Sequence, residues 1–242
     1  MDLIETIFKI GGREIALNNS NSAFQPNQVT KLVYESVRIN DGDIGIEVGA
    51  GIGPGTIFLA SNPAVRKFYA IEPVELQFKL LEQNFTNHNL SEKVQILRGS
   101  LFEPLKHSEV KGDFIVSDAS GMDYAGQLLG WYPDGIPLGG EKGEEVTVEL
   151  LRNAKEFLNL KNPNVRVYFP IIEQFANGDA ILAEAQRNFR LVRTIAEQNF
   201  PLREDALKKL NEANYNPHAP FKERASRKLW TARIYEATRP FF

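Results

Sequence analysis

Cysteine is absent from this chain, which rules out a disulfide framework and any thiolate metal site. Histidine is scarce, and His88, His107 and His218 stand too far apart in sequence to show metal-ligand spacing, so no metal is expected. No apolar run approaches the ~20 residues of a membrane span, and no basic-then-apolar export signal is present. A cytoplasmic protein without a membrane partner is the expectation. Net positive charge is lacking too. With 28 Lys and Arg against 31 Asp and Glu the formal charge is −3, whereas phosphate binding normally leaves a basic footprint, which argues against nucleic acid as substrate. The local exception, Lys222, Arg224, Arg227, Lys228 and Arg233, is diluted by Glu223 and Glu236 and reads as a solvated strand edge.

What is present is enough for a full core. At 242 residues, 43% hydrophobic and 24% charged, the chain suits a single α/β unit. Its organising stretch runs from Asp43 to Thr56: a short apolar run ends in Glu47-Val48, and glycines follow at 49, 51, 53 and 55. This reads as a strand, a tight turn and a helix start. Glycine takes positive φ and lets a ligand approach the backbone, and amides exposed at such a turn attract anionic groups. A nucleotide-like ligand belongs here. The dinucleotide fingerprint G-x-G-x-x-G, however, would need glycine at Pro54 or at Thr56, and neither register fits.

Around this turn the chain alternates strand and helix, the rhythm of a parallel sheet with crossovers on both faces. Two alternating runs about Gly11-Gly12 predict a hairpin over Phe8–Leu17 that acts as a cap or lid, and a polar loop from Asn18 to Asn27 leads into a helix carrying Val29, Leu32, Val33 and Val37. Phe68–Glu72 reads as the second strand of the main sheet. Pro73 suits the first turn of the next helix, whose apolar stripe is Val74, Phe78, Leu81 and Phe85. Val94–Arg98 is the third strand and Gly112–Ser117 the fourth. A helix over Glu144–Leu158, a strand over Val165–Ile172 and a helix over Asp179–Phe189 come next, and strands over Leu191–Phe200 and Leu229–Ala237 flank a charged helix at Glu204–Glu212. The N-terminal hairpin, cap loop and helix occupy residues 1–38, and the main domain residues 39–242.

The spacing Glu47-x-Gly49-x-Gly51-x-Gly53 resembles motif I of the class I S-adenosylmethionine-dependent methyltransferases. The resemblance in motif order spans roughly residues 24 to 200. It implies a Rossmann-like, seven-stranded, mostly parallel sheet with an antiparallel last strand. It also implies S-adenosyl-L-methionine as cofactor, held by Glu47, Gly49, Ala50, Gly51, Gly53, Glu72, Pro73, Ser100, Leu101 and Asp118. Glu72, 25 residues beyond Glu47 at a strand end, stands where the family binds ribose hydroxyls. At Ser100 the family often has aspartate, so the adenine contacts depart from the pattern. The nearest likeness in motif order is to release-factor glutamine methyltransferases, through Phe24-Gln25-Pro26, the fourth strand and Gly139-Gly140-Glu141. It breaks after Ser117: those enzymes carry Asn-Pro-Pro-Tyr, and this chain has Asp118-Ala119-Ser120-Gly121.

That departure makes a glutamine amide or an adenine amino group a poor acceptor. Asp118 becomes the candidate to bind or deprotonate an amine or hydroxyl, or else it merely accepts from loop amides. Trp131 and Tyr132 either wall an acceptor pocket or anchor the core, and Gln25 is the candidate on the N-terminal loop, which either covers the cofactor or is an ordinary N-terminal cap. The expectation is N- or O-methylation of a small molecule or peptide. The rivals are a protein or RNA methyltransferase and a non-catalytic nucleotide-binding protein.

Overall fold

The computed structural model describes residues 3–119 and 121–241; Ser120 of the expected acceptor loop lies outside them. The chain begins with an antiparallel hairpin, β1 (Ile4–Ile10) and β2 (Arg13–Asn19), followed by helix α1 (Gln28–Glu35). Asn27 caps α1: its Oδ1 accepts from the amides of Val29 at 2.7 Å and Thr30 at 3.4 Å, while Thr30 Oγ1 accepts from Asn27 N at 3.2 Å. This reciprocal box fixes the angle at which the cap loop enters the helix.

The main sheet alternates as its periodicity predicts. It comprises β3 (Asp43–Val48), α2 (Pro54–Ala60), β4 (Val65–Glu72), α3 (Glu75–Asn87), β5 (Val94–Arg98), β6 (Phe114–Ser117), a short α4 (Ala125–Leu128), α5 (Glu145–Phe157), β7 (Arg166–Ile172) and α6 (Gly178–Asn188). The chain closes with β8 (Phe189–Pro201), α7 (Glu204–Glu212), β9 (Lys222–Arg224) and β10 (Arg227–Pro240). Spatial order is β5-β4-β3-β6-β7-β10-β8; β10 runs antiparallel to both of its neighbours, and β9 pairs beside it. The short β9 is an eighth strand beyond the seven expected. One apolar cluster gathers residues of α1, α2 and α3 against the sheet, and a second gathers those of α5 and α6 on the other face. Among the described residues no helix is long and apolar enough to cross a membrane.

Three local expectations change. The hairpin is a buttress rather than a lid: Ile10, Ile15 and Leu17 are buried in the core, Asn84 Oδ1 accepts from Asn18 N at 2.7 Å, and no hairpin residue lines either of the cavities described below. Pro73 precedes the N-cap, Val74, and is exposed. The buried face of α3 is Gln77, Leu80, Leu81, Asn84 and Phe85, so two amides sit where an apolar stripe was expected. Both amides are satisfied. Asn84 Nδ2 donates to the carbonyls of Asn18 at 3.0 Å and Ile52 at 2.8 Å, and Gln77 joins the site. The basic cluster lies on a strand edge where three of its five members are paired: Lys222 meets Glu197 at 2.8 Å, Lys228 meets Glu223, and Arg233 bridges Glu173 at 2.5 Å and Glu197 at 2.8 Å.

Candidate functional site

Parallel pairing decides which side chains converge. Val48 is in register with Ile71 of β4 and with Ser117 of β6, so the next residue on each strand, Glu72 and Asp118, flanks the turn that starts at Gly49. Ligands bind in open α/β sheets at the carboxyl ends of the strands, where the order reverses, and β3 is that point here. Gly49 (φ +77°) is pressed against the β6 exit loop, since a Cβ would lie 2.6 Å from that of Ala119. Gly51 (φ +58°) is the opposite case: a Cβ there would meet nothing within 4 Å. The concave side of the turn is open.

It opens onto a cleft of about 240 Å³ whose lining includes Gly49, Gly51, Glu72, Ser100, Leu101 and Asp118. Helix α5 adds Glu145 and Glu149, so among the described residues the cleft presents four carboxylates and no lysine or arginine. Glu72 is nearly fully buried and held on both oxygens: Oε2 accepts from Gly51 N at 2.8 Å, and Oε1 from Val74 N at 2.8 Å and Gln77 Nε2 at 2.9 Å. A carboxylate offers about four acceptor positions, and one of them therefore remains, on Oε2. That differs from the expectation of a carboxylate free for two ribose hydroxyls. Burial raises the Glu72 pKa, and its three donors oppose the rise. Gln77 also ties down the cap loop, its Oε1 accepting from Phe24 N at 2.9 Å.

Glu47 does not line the cleft. Its carboxylate is fully buried beneath the turn and accepts from the hydroxyls of Tyr34 and Thr56. Burial pushes it up to about 8; those two hydrogen bonds pull it down, and repulsion from Asp118 and Glu72 adds to the rise. Gly53 and Ala50 are likewise structural in position. Gly53 is the N-cap of α2, with φ +95° and Leu81 2.5 Å from where its Cβ would be, and Ala50 is buried behind the turn. Gly55 lets α1 dock, because a Cβ there would stand 2.1 Å from the Tyr34 ring.

Asp118 is half-buried at the junction of this cleft with a larger cavity of about 580 Å³. Phe24, Ala119 and Tyr132 line both spaces with it. Burial pushes the Asp118 carboxyl up to about 7, opposed by a hydrogen bond with the Thr30 side chain. Thr30 and Tyr34 are one helical turn apart on the buried face of α1 and reach Asp118 and Glu47 respectively. Tyr132 is buried, its ring 5.2 Å from that of Phe24, and burial, then Asp118, raises its pKa against a backbone hydrogen bond at Gly121.

Trp131 lines the larger cavity and also packs edge-on against Phe175 at 5.5 Å, so it is wall and anchor together. Gln25 lines that cavity too, but its amide is committed to its own loop. Nε2 donates to the carbonyls of Ser20 and Ala23, both at 2.8 Å, and Oε1 accepts from Asn19 at 2.7 Å. Ser100 is exposed at the cleft, while Phe102 turns away to stack on Phe157 at 4.4 Å. Thr30, Tyr34, Gln77, Glu145, Glu149, Phe200 and Trp230 also line or support these two spaces, although no motif marks them. The i, i+4 pairs Thr30/Tyr34 and Glu145/Glu149 were a usable signal, as were aromatics at strand ends.

No family model matches the chain, and no curated protein matches it. Solved structures do. The precorrin-8w decarboxylase of Methanobacterium thermoautotrophicum is similar over 89% of this chain and 94% of its own, at 21% identity and a TM-score of 0.54. The precorrin-6y C5,15-methyltransferase of Geobacter metallireducens is similar over 89% and 90%, at 11% identity and a TM-score of 0.55. M. jannaschii TYW2, solved in complex with AdoMet, is similar over 97% and 86%, at 14% identity and a TM-score of 0.53. Likeness at these identities establishes the fold: this chain has the Rossmann-like α/β architecture of those proteins.

Proposed function

We propose that the protein is an S-adenosylmethionine-dependent methyltransferase that methylates nitrogen or oxygen of a small-molecule or peptide acceptor. One observation carries the reading. A glycine-turn cleft lined by four carboxylates and no basic side chain meets, at Asp118, a separate aromatic-walled cavity. A dinucleotide pyrophosphate would be repelled by that lining, whereas a sulfonium bearing an ammonium is attracted to it. The residues fit such a ligand. The open face of Gly51 admits it against the backbone, the free acceptor position of Glu72 is suited to one ribose hydroxyl, and Ser100 and Leu101 stand where the base would lie.

When bound, the cofactor supplies an activated methyl group with a neutral thioether as leaving group. The protein's share is placement, because holding two reactants in line at close contact can supply most of a displacement's barrier reduction. Tyr132 and Phe24 shape the passage between the two spaces. Asp118 is positioned there by Thr30 to hold or remove the acceptor's proton. Glu47 supports the turn from below without touching ligand.

S-adenosylmethionine is expected to raise the melting temperature and NAD to leave it unchanged, since only a ligand that binds the folded state stabilises it. Gly51→Val should abolish the shift by filling the open side of the turn with a branched side chain at positive φ. A shift with NAD and none with the methyl donor would sink the proposal. With a purified release factor no methylation of glutamine is expected, because Asp118 stands where a planar amide needs neutral acceptors, and efficient transfer in that assay would refute the assignment.

A further inference from the structure

The larger cavity carries its own chemical description, independent of the turn. It lies at the carboxyl end of the sheet, where β8 ends at Phe200-Pro201, α7 crosses, and β10 begins near Trp230. Phe200 and Trp230 are cross-strand partners stacked at 4.4 Å and 24°, and Trp131 closes on Trp230 at 5.3 Å. These walls are flat and apolar, and an aromatic ring meets another ring best in an offset-stacked or edge-to-face arrangement. Four charged side chains line the space: Asp118 at its inner end, and Arg203, Asp205 and Lys209 on or beside the exposed helix α7. Arg203 and Asp205 pair with each other at 3.0 Å and largely cancel. Lys209 makes no ion pair among the described residues, whereas its neighbour Lys208 turns to Glu212 at 3.7 Å. The cavity therefore has an acidic inner pole and one uncompensated cation at its mouth.

We infer that, given the methyltransferase reading, the acceptor is a flat, largely apolar molecule carrying an anionic substituent. Its rings lie against Trp131 and Trp230, its anion meets Lys209, and its nucleophile faces Asp118. The transfer balances without a further reactant: the acceptor's nitrogen or oxygen forms the bond to the methyl carbon, the carbon–sulfur bond breaks to leave a neutral thioether, and the acceptor's proton leaves through Asp118. A flipped nucleobase could also stack on these walls, but its flanking phosphates would need a basic rim. Among the described residues lining this mouth, Lys209 alone is an unpaired cation.

Two fluorescent probes that differ by a single sulfonate test the assignment: 8-anilinonaphthalene-1-sulfonate and neutral N-phenyl-1-naphthylamine. Titrated into the wild-type chain, the sulfonate is expected to bind about tenfold more tightly, with one site. Lys209→Gln should remove about five- to tenfold of that affinity, leave the neutral probe unchanged and, by lowering the sulfonate's advantage, bring the two probes together. Lys208→Gln, on the outward side of the same helix, should change neither. Equal affinities in the wild type, a sulfonate preference that survives Lys209→Gln, or its loss in Lys208→Gln would overturn the inference. So would tighter binding of a single-stranded RNA 20-mer than of either probe at 150 mM salt. The S-adenosylmethionine melting shift, run on the same preparations, separates the two failures. A shift with no sulfonate preference overturns the acceptor class alone, and no shift in any preparation overturns the methyltransferase reading beneath it.

Discussion

Asp118→Asn is expected to lower kcat/KM for the acceptor at least tenfold, about 1.4 kcal/mol, while the melting shift with S-adenosylmethionine persists. Where the carboxylate takes the acceptor's proton, the loss reaches roughly 100- to 10,000-fold, the usual worth of a positioned base. Asparagine keeps the shape and removes the charge, and Glu72, Glu145 and Glu149 still line the cleft, so cofactor affinity should move by no more than about threefold. The pH profile separates a base from a binding group. Burial holds the free carboxyl at about 7, and a base must be ionised, so wild-type kcat/KM should rise with pH and level off. With the cationic donor saturating, the rise should lie below 7, because an opposite charge favours the carboxylate. Thr30→Val removes the hydrogen bond that favours the ionised form and should move the rise upward with little change at the plateau. An Asn variant that keeps full activity at neutral pH would take Asp118 out of the mechanism.

The second large effect is on stability. Glu47→Ala should destabilise the fold by about 3–5 kcal/mol, because it opens a void and strands the hydroxyls of Tyr34 and Thr56 in a dry interior. In a chain of this length that is a drop of roughly 10 °C in Tm. Glu47→Gln should behave differently, and pH exposes the reason. The folded Glu47 carboxyl titrates at about 8, against roughly 4.3 in an unfolded chain. Between those values the folded state holds more protons, so stability is fully present below about pH 4 and declines as pH rises through 8. Glutamine cannot ionise. Its Tm should therefore fall less than wild type between pH 6 and 9, with a residual slope from Asp118 and Glu72, whose pKa values are also raised. A wild-type Tm that climbs over that range would contradict a neutral Glu47 in the folded protein.

Much of this molecule was legible residue by residue. Val94–Arg98 and Glu204–Glu212 form the predicted strand and helix at the predicted bounds, since a period of two or of 3.6 is a local property of the chain. Phe68–Glu72 and Val165–Ile172 lost or gained only a few residues at their ends. The glycine turn was equally plain, because its positive φ values at Gly49, Gly51 and Gly53 demand a residue without Cβ. The face of α3 differs from its periodicity for the complementary reason: Gln77 and Asn84 are buried because partners distant in sequence, Phe24, Asn18 and Ile52, satisfy them.

The alternation of strands and helices, the turn, the strand-end acids and the lack of a thiolate site follow from local composition and spacing. Where those acids sit depends on the fold. The order β4-β3-β6 and its parallel register place Glu72 and Asp118 on either side of one turn while Glu47 points beneath it. Crossover connections likewise bring Glu145 and Glu149 into the cleft and Phe200, Lys209 and Trp230 into the second cavity. Periodicity constrains which face of an element is buried, but the neighbours it meets are set by packing between segments far apart in the chain. The carboxylates' pKa values and the cavity's charge balance arise from that packing.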